Sequence, residues 1–286
     1  MGAVFVTGAT GTVGSAVVEH LLRLGQPVIA GVRDPSDSAR IPSPAVTRAF
    51  SFDGDGDEAE LDEVFEGADR LFLMRPPAIA DVQRTLFRVI DAANRQGIRQ
   101  ITFLSLQGVQ VNRGTPHHAV EQYLRETRSP YTFLRPNFFM QNLATTYAKP
   151  IRERDEIFVP AGRSRTAFID ARDVGMVAAS TLSQRGHVGK AYTLSGEQSL
   201  TYRNVAAIMS QVLGRQIRYV RPSERLYLAR LAADHLPDDY IAVQKMIHRV
   251  VRLNISALPN RSIRRLTGRP ATTLHDYVSD NVQVWR

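Results

Sequence analysis

Short apolar runs alternate with longer amphipathic stretches along the first half of the chain. The short runs are rich in β-branched and aromatic residues and too brief for helices, so we predict that they are buried strands. They cover residues 4–6, 27–32, 46–52, 69–74, 100–105 and 131–134. The stretches between them place apolar residues three to four positions apart, which predicts helices, among them a long one over 79–95. This alternation predicts an α/β fold with a doubly wound parallel sheet.

The second half of the chain is less regular. Residues 223–257 indicate two helices separated at Pro237, and a last helix is predicted over 274–285. We therefore expect a sheet domain over 1–150 and a smaller, mostly helical C-terminal substrate region over 151–286, with some segments returning to the sheet domain. Four large side chains of the two helices either line a substrate pocket or pack in the core: Tyr227, Tyr240, Met246 and His248.

Three glycines lie between the first strand and the first helix. Gly8 allows a sharp turn, Gly11 leaves room for a ligand to touch the backbone, and Gly14 lets the helix pack close to the sheet. The N–H groups of the first helical turn then face an anion. A glycine-rich β-turn is the alternative, but the strand before the motif and the helix after it favour a pyrophosphate cradle. The pattern thus predicts a Rossmann-like, dinucleotide-binding fold.

The second strand ends at Arg33, where dinucleotide folds select their cofactor. An acid at this position binds the ribose 2′-hydroxyl, whereas an arginine accommodates a 2′-phosphate. We interpret Asp34 and Pro35 as turn residues, and we predict that NADP(H) is preferred over NAD(H). After the third strand, Asp53 either belongs to a solvated acidic helix or accepts a hydrogen bond from the adenine amino group.

Composition narrows the class of protein. The chain has 286 residues and no cysteine, which excludes disulfides, thiol catalysis and cysteine-ligated metals. No apolar run approaches the roughly 20 residues needed to cross a bilayer. The first strand begins at once, without a basic segment or cleavage site before it. We therefore expect a cytoplasmic protein without a membrane partner.

The net charge of +8 is unevenly distributed. Residues 1–150 carry 15 Lys and Arg against 16 Asp and Glu, whereas residues 151–286 carry 21 against 12. A basic region is compatible with nucleic-acid binding, with a solvated surface, or with an opening that attracts an anionic cofactor or substrate. The basic residues are scattered rather than clustered, so we do not expect a nucleic-acid partner.

Two carboxylates, Asp170 and Asp173, are close enough in the chain to suggest a carboxylate pair or half of a metal site. Local spacing offers another interpretation, in which Asp173 caps a helix and Asp170 pairs with a nearby arginine. We adopt the second interpretation and predict no metal site. Thr201 is predicted to begin the following helix and Gly214 to end it.

The segment after the sixth strand, residues 135–142, mixes a proline, two aromatic residues and two amides. Such a mixture is typical of a pocket for a flat ring, which is apolar with a few polar groups. Alternatively, Phe138, Phe139 and Met140 simply enter the core. Sequence alone leaves both interpretations open.

Several segments together resemble the NmrA-like atypical short-chain dehydrogenase/reductases. They are residues 7–14, Arg33, and residues 134–142, 168–175, 192–196, 212–215 and 266–270. The glycine motif is shared by many dinucleotide-binding proteins, but the segments around Asn137 and Asp170 are much more specific in combination. The resembled family includes NADPH-dependent quinone, azo-dye and triphenylmethane-dye reductases, and also a non-catalytic redox-sensing regulator.

The resemblance implies which residues bind the cofactor. By the family pattern, the glycine turn would hold the pyrophosphate, Arg33 the 2′-phosphate, and the loops after later strands the ribose and nicotinamide. The predicted cofactor-binding residues are Gly8, Thr10, Gly11, Thr12, Val13, Arg33, Asp53, Met74, Arg75, Pro76, Ser105, His118, Pro136, Asn137 and Phe138.

The chain departs from most short-chain dehydrogenases at the tyrosine and lysine that these enzymes carry four residues apart. None of its three lysines follows a tyrosine by four positions, and His117 and His118 stand at the expected place. Histidine can act as an acid, since its ordinary pKa is about 6.5, or it can hydrogen-bond the nicotinamide ribose. One of the pair can also be exposed and idle. We predict His118 and Ser105 as the catalytic candidates, with a cofactor contact favoured for His118.

These observations lead to three hypotheses on function. The first is an NADP(H)-dependent reductase that transfers hydride to a flat, electron-poor small molecule such as a quinone, azo compound or conjugated carbonyl. The second is a non-catalytic NADP(H)-sensing regulator that binds a protein partner. The third is an isomerase or tailoring enzyme of a biosynthetic pathway. The sequence leaves monomer and homodimer open.

Overall fold

A parallel sheet of seven strands forms the centre of the first of two compact units. The computed structural model describes residues 2–52 and 57–286. The first unit contains residues 1–136, 171–194 and 262–269, and the second contains residues 137–170, 195–261 and 270–286. The sheet strands are β1 (Ala3–Val6), β2 (Val28–Val32), β3 (Val46–Ala49), β4 (Ala68–Met74), β5 (Ile101–Leu104), β6 (Tyr131–Pro136) and β9 (Lys190–Leu194).

The strand order is β3-β2-β1-β4-β5-β6-β9, with every neighbouring pair parallel. The chain first builds outward from β1 to β3 and then returns to the other side of β1. This reversal places a topological switch point between β1 and β4, at whose carboxyl ends open α/β sheets bind ligands. The predicted Rossmann-like, doubly wound sheet is confirmed.

The helices follow the strands in the alternation that the apolar pattern predicted. They are α1 (Thr12–Arg23), α2 (Glu58–Glu63), α3 (Arg88–Arg95), α4 (Pro116–Glu126), α5 (Ala148–Arg154), α6 (Ala171–Ser183), α7 (Tyr202–Leu213), α8 (Glu224–Ala233), α9 (Asp238–Arg252), α10 (Ser262–Thr267) and α11 (Leu274–Asp280). No helix in the described residues is long and apolar enough to cross a membrane.

Helices cover both faces of the sheet. On one face, Phe5, Leu71 and Phe103 pack in a buried cluster with Val89 of α3 and Val120 of α4. Because successive strand residues point to opposite faces, Arg70 points away from that cluster. Its guanidinium donates to the Leu182 carbonyl of α6 at 2.7 Å, which identifies α6 as a helix of the other face.

Helices α1 and α6 approach each other closely at Gly175. A Cβ atom added to Gly175 would lie 2.5 Å from the Cβ of Ala16, which is too close for the helices to keep this spacing. The glycine therefore allows α6 to pack on the helix that follows the glycine turn, and this contact supports the position of α1.

The second unit has its own core and two small sheets. Strands β7 (Glu156–Ile157) and β11 (Arg218–Tyr219) pair in parallel, while β8 (Arg165–Thr166) and β10 (Leu200–Thr201) pair antiparallel. The core includes fully buried Trp285, whose indole N–H donates to the Leu143 carbonyl at 2.9 Å. The unit therefore has an apolar core of its own, and the indole N–H of its largest buried side chain has an acceptor.

For four side chains, the sequence left open whether they line a substrate pocket or pack in the core. The structure shows that they differ in exposure. Tyr227 and His248 are buried, Tyr240 is partly buried and Met246 is exposed. The predicted break at Pro237 is confirmed, because α8 ends at Ala233 and Pro237 immediately precedes α9. Tyr227 and His248 contact each other edge-on, with ring centres 4.9 Å apart.

Helix ends were predicted with mixed success. Thr201 caps α7 together with Asn204, and Gly214 ends it in the left-handed conformation with φ +67°, both as predicted. The prediction that Asp173 caps a helix is wrong, because α6 begins at Ala171 and Asp173 lies in its first turn. Residues before the predicted cap already have helical geometry, which local spacing did not reveal.

One strand and two helices are shorter than predicted. Strand β3 lies at the edge of the sheet and ends at Ala49. The helix predicted over 79–95 begins with a wide turn at Gln83, where the Asp81 carboxylate accepts from the backbone N–H of Gln83 at 3.2 Å. The last predicted helix ends at Asp280 and is followed by a 3₁₀ turn, Val282–Val284.

Candidate cofactor and reaction site

The glycine turn after β1 depends on backbone room. Gly8 has φ +62°, and a Cβ added to it would lie 2.3 Å from the Met74 sulfur. A Cβ at Gly14 would lie 2.0 Å from the Gly8 carbonyl oxygen. By contrast, a Cβ at Gly11 would meet only that same oxygen, at 3.2 Å. The fold itself therefore requires Gly8 and Gly14, whereas Gly11 keeps space open on the exposed side of the turn.

The N-terminus of α1 is directed toward this open space. Gly11 precedes the helix, and its carbonyl accepts from the Ser15 N–H at 2.8 Å as the first helical bond. The N–H groups of Thr12, Val13 and Gly14 precede that bond, so they have no acceptor within the helix. No side chain caps them within the described residues, and the first turn contains no acid. The turn therefore fits a pyrophosphate.

A threonine that the sequence analysis did not select holds the turn to the neighbouring strand. The Thr7 hydroxyl donates to the Phe72 carbonyl and accepts from the Met74 N–H, each at 3.0 Å. Thr7 is completely buried at the carboxyl end of β1. It therefore fixes Met74, one of the predicted cofactor residues, against Gly8. The only sequence signal was its position just before the first glycine.

Arg33 is exposed at the end of β2, as the selector position requires. Its neighbour Asp34 accepts from the Ser36 N–H at 2.8 Å and caps a short 3₁₀ helix, and this bond lowers the pKa of the Asp34 carboxyl. The interpretation of Asp34 as a turn residue agrees with this geometry. Arg40, which the sequence analysis did not select, donates to the Thr10 carbonyl at 3.0 Å and places a second cation beside the glycine turn.

A cleft of about 340 Å³ lies beside the selector position. Its lining combines three arginines and two carboxylates with aromatic and aliphatic groups, including Arg33, Arg84, Arg88, Asp57, Glu60, Phe50, Phe52 and Leu61. Guanidinium groups bind phosphate, and apolar walls accept a flat ring. The predicted adenine contact Asp53 lies outside the described residues, so its role stays a prediction.

Arg75 folds back onto the loop that follows β4. Its guanidinium donates to the carbonyls of Pro76 and Pro77 at 3.2 and 3.1 Å, and also to the carbonyl of Ile79. Burial lowers the pKa of Arg75. Its Nε atom is buried without a hydrogen-bond partner among the described residues. Arg75 therefore shapes the loop next to the predicted cofactor residues Met74 and Pro76.

A buried ion pair stands behind Ser105, which follows β5. The Ser105 hydroxyl donates to Glu121 at 2.7 Å, and Arg135 of β6 donates to both oxygens of the same carboxylate at 2.8 and 2.5 Å. All three residues are buried, with Glu121 only 2% exposed. The hydroxyl proton of Ser105 is thus committed to Glu121, which the sequence analysis did not select.

The two histidines at the start of α4 have different surroundings. The Nδ1 atom of His118 lies 3.1 Å from the Val109 carbonyl, so in the neutral ring this nitrogen carries the proton. His117 contacts the ring of Phe103. Burial, followed by the nearby Arg75 cation, lowers the pKa of His117 to about 4. His118 is predicted to contact the cofactor, and its geometry leaves only Nε2 as an acceptor in the neutral ring.

The remaining predicted residues continue from β6. Pro136 ends that strand in the first unit. In the second unit, the buried Asn137 donates to the Ser256 carbonyl and accepts from the Phe138 N–H, each at 2.8 Å. Phe138 is partly buried against the core of that unit, which also contains Met140. These contacts agree with a packing role for Met140, while the cofactor contacts of Pro136, Asn137 and Phe138 stay predictions.

The Asp170 carboxylate accepts from the Gln141 side chain at 2.9 Å and is completely buried. Within residues 2–52 and 57–286, no group of three or more His, Cys, Asp or Glu side chains could hold a metal ion. Asp170 thus forms a structural hydrogen bond with Gln141.

Two curated relatives are similar to this chain over nearly its whole length. The NAD(P)H azoreductase of Xenophilus azovorans is 30% identical over 281 residues, which cover 96% of each chain. Quinone oxidoreductase 2 of Escherichia coli is 28% identical over 282 residues, again covering 96% of each.

Solved structures show the same fold. The NADPH-dependent quinone oxidoreductase QOR2 of Escherichia coli, in complex with NADPH, superposes with a TM-score of 0.88 at 26% identity, covering 98% of this chain and 99% of that one. The Citrobacter sp. triphenylmethane reductase in complex with NADP(H) gives a TM-score of 0.85 at 22% identity, covering 97% and 99%, which is a likeness of fold. Residues 2–267 match the NmrA-like family, and this chain belongs to that family.

Proposed function

We propose that this protein is an NADPH-dependent oxidoreductase that reduces a flat, electron-poor small molecule. The observation that carries the proposal is the glycine turn, which keeps space at Gly11 and directs the first-turn N–H groups of α1 toward an anion. The azoreductase and quinone oxidoreductase names of the relatives support a reductase that uses a nicotinamide cofactor.

The preference for NADPH over NADH rests on the end of β2. Arg33 is exposed there, and its planar guanidinium matches a phosphate. The carboxylate of the neighbouring Asp34 already accepts from the Ser36 N–H and caps the short 3₁₀ helix. Arg40 adds positive charge beside the turn. Together these groups favour a cofactor that carries a 2′-phosphate.

Bound NADPH supplies the hydride, and the residues of the chain bind the cofactor and orient it. The backbone of Gly11, Thr12 and Val13 would hold the pyrophosphate, and Arg33 the 2′-phosphate. Thr7 fixes Met74 beside the turn. Because the Ser105 proton is engaged with Glu121, orientation over the sheet edge contributes more than proton donation from Ser105.

We infer that the acceptor is a quinone, an azo compound or a related conjugated carbonyl. Such acceptors take up hydride without a strong acid, which agrees with the neutral state that a pKa of about 4 gives His117. The names of the relatives support the same class of acceptor.

The test is the loss of reduced-nicotinamide absorbance when pure protein is mixed with NADPH and a panel of quinones and azo dyes, with NADH in parallel. We expect saturable consumption that is faster with NADPH. Cofactor binding without turnover across the panel would contradict the reductase and favour a cofactor-sensing regulator. Failure to bind either cofactor would contradict the proposal as a whole.

A further inference from the structure

The two adjacent histidines of α4 point in different directions. Successive residues of an α-helix are about 100° apart, so adjacent side chains point to different sides. His118 points toward the loop before the helix, where its Nδ1 contacts the Val109 carbonyl at 3.1 Å. His117 therefore has a separate direction and a separate environment.

The direction of His117 follows from Glu121, one helical turn later. Residues four apart lie on the same helix face, so His117 lies above Glu121. Glu121 is held between Ser105 at the end of β5 and Arg135 of β6. The ion pair thus anchors this face of α4 against the carboxyl ends of both strands.

A ring contact and a nearby charge place His117 at the sheet edge. Its ring centre lies 6.1 Å from that of Phe103 in β5, two residues before Ser105. Arg75, just after β4, is close enough for its cation to lower the pKa of His117. Since β4 and β5 are adjacent, with Met74 opposite Leu104, His117 stands where their carboxyl ends meet.

The sheet order assigns this place to one half of the cofactor. The pyrophosphate cradle follows β1, and the selector Arg33 follows β2 on one side of it. A dinucleotide that lies across the carboxyl ends and puts its adenosine over β2 must extend its other half over β4 and β5. His117 stands on that second side.

We propose that His117, rather than the predicted His118, contacts the nicotinamide half of the bound cofactor as a neutral hydrogen-bond partner. The inference rests on the proposed function, because it requires NADPH at the glycine turn. The chemical groups available to the imidazole are the carboxamide and the ribose hydroxyls, both of which pair with one N–H or one lone pair. Glu121 acts as a positioning residue by holding the helix face.

The test compares NADPH with 2′,5′-ADP, which carries only the adenosine half with its phosphates. His117→Phe keeps a ring against Phe103 and removes both nitrogens, while His117→Gln keeps a donor and an acceptor. We expect His117→Phe to weaken NADPH binding about five- to tenfold, the size of one net hydrogen bond, and to change the 2′,5′-ADP affinity less than twofold. His117→Gln should recover part of the NADPH affinity.

His118→Phe is the discriminating comparison, and the exposed His275→Phe is the control for the substitution itself. A larger NADPH loss in His118→Phe than in His117→Phe would overturn the inference. Equal weakening of NADPH and 2′,5′-ADP in His117→Phe would do the same, because it would show a general disturbance. If the wild type binds neither ligand, the proposed function fails; if it binds both and His117→Phe binds NADPH unchanged, only this inference fails.

Discussion

Two glycines of the same turn look alike in the sequence but meet different surroundings. A methyl group at Gly14 would lie 2.0 Å from the Gly8 carbonyl, whereas at Gly11 it would meet that oxygen at 3.2 Å. The first distance requires the backbone to shift, and the second requires an adjustment of a few tenths of an ångström. The two positions therefore separate the folding role of the turn from its binding role.

We expect Gly14→Ala to lower the free energy of unfolding by about 1–3 kcal/mol, because the helix must move away from the turn. Gly11→Ala should stay within about 1 kcal/mol of wild type and still weaken NADPH binding, since the methyl group occupies the ligand space. Denaturant unfolding and fluorescence titration measure the two effects. A Gly11→Ala variant that binds NADPH as tightly as wild type would contradict the cradle assignment.

Arg33 carries the predicted cofactor selectivity. Arg33→Glu should weaken NADPH binding at least tenfold while changing NADH binding much less, because it replaces a phosphate partner by a like charge. Titration of both cofactors against wild type and variant measures the difference. Arg23→Glu, an exposed arginine at the end of α1, is a control for the change in net charge. Equal losses for both cofactors would contradict the selector role.

Glu121 is the centre of a buried ion pair. Glu121→Ala leaves the Arg135 guanidinium buried without its carboxylate, so we expect a loss of roughly 3–5 kcal/mol in the free energy of unfolding. Glu126→Ala, on an exposed position of the same helix, should cost less than about 0.5 kcal/mol. Chemical denaturation checks both. Similar small effects for the two variants would show that the buried pair does not contribute as the geometry implies.

At the scale of single elements, helix α9 carries a titratable group inside the second unit. His248 is completely buried, its ring packs edge-on against Tyr227 at 4.9 Å, and burial lowers its pKa to about 4. In the unfolded chain the pKa of a histidine is near 6.5. Between about pH 4 and 6.5, His248 therefore binds a proton in the unfolded chain but not in the folded unit. Between these values stability must rise with pH.

We expect the contribution of neutral His248 to the free energy of unfolding to be fully present above about pH 6.5. It should decline by up to about 3 kcal/mol as the pH falls to about 4. Unfolding followed at several pH values should show this slope, and His248→Phe should reduce it, leaving the part that other groups such as His117 contribute. His275→Phe, an exposed histidine, should leave the slope unchanged. An unchanged slope in His248→Phe would mean that other groups cause the acid sensitivity.

Helix α6 shows why some element boundaries were predicted and others were not. The ends of α7 depend on Thr201 and Gly214, whose own side chain or backbone conformation forms the cap, so local sequence was sufficient. The start of α6 lies two residues before Asp173, at Ala171, which is buried. Such packing cannot be derived from the spacing of one acid.

At the scale of the whole molecule, a ligand that binds only the folded state stabilises it. NADPH at 100 times its dissociation constant should add about 2.7 kcal/mol, seen as a higher unfolding temperature by calorimetry. Gly11→Ala should lose most of this increase while its ligand-free transition stays near that of wild type. An NADPH-induced increase that is undiminished in Gly11→Ala would indicate binding elsewhere.

The sequence by itself determined the doubly wound sheet, the glycine turn and the family. Strand periodicity and glycine conformation act over a few residues, so the residues that specify them are neighbours in the chain. It also determined the position of Arg33 at the end of β2, since the strand boundary gives that position directly.

Only the tertiary structure decided which polar side chains are available at the sheet edge. The Ser105 proton is committed to Glu121, which lies 16 residues away, and Glu121 is held by Arg135 from another strand. The same packing separates His117 from His118, although the two are adjacent in sequence. Hydrogen bonds between distant residues depend on how strands and helices are assembled, and the order of residues along the chain does not specify that assembly by itself.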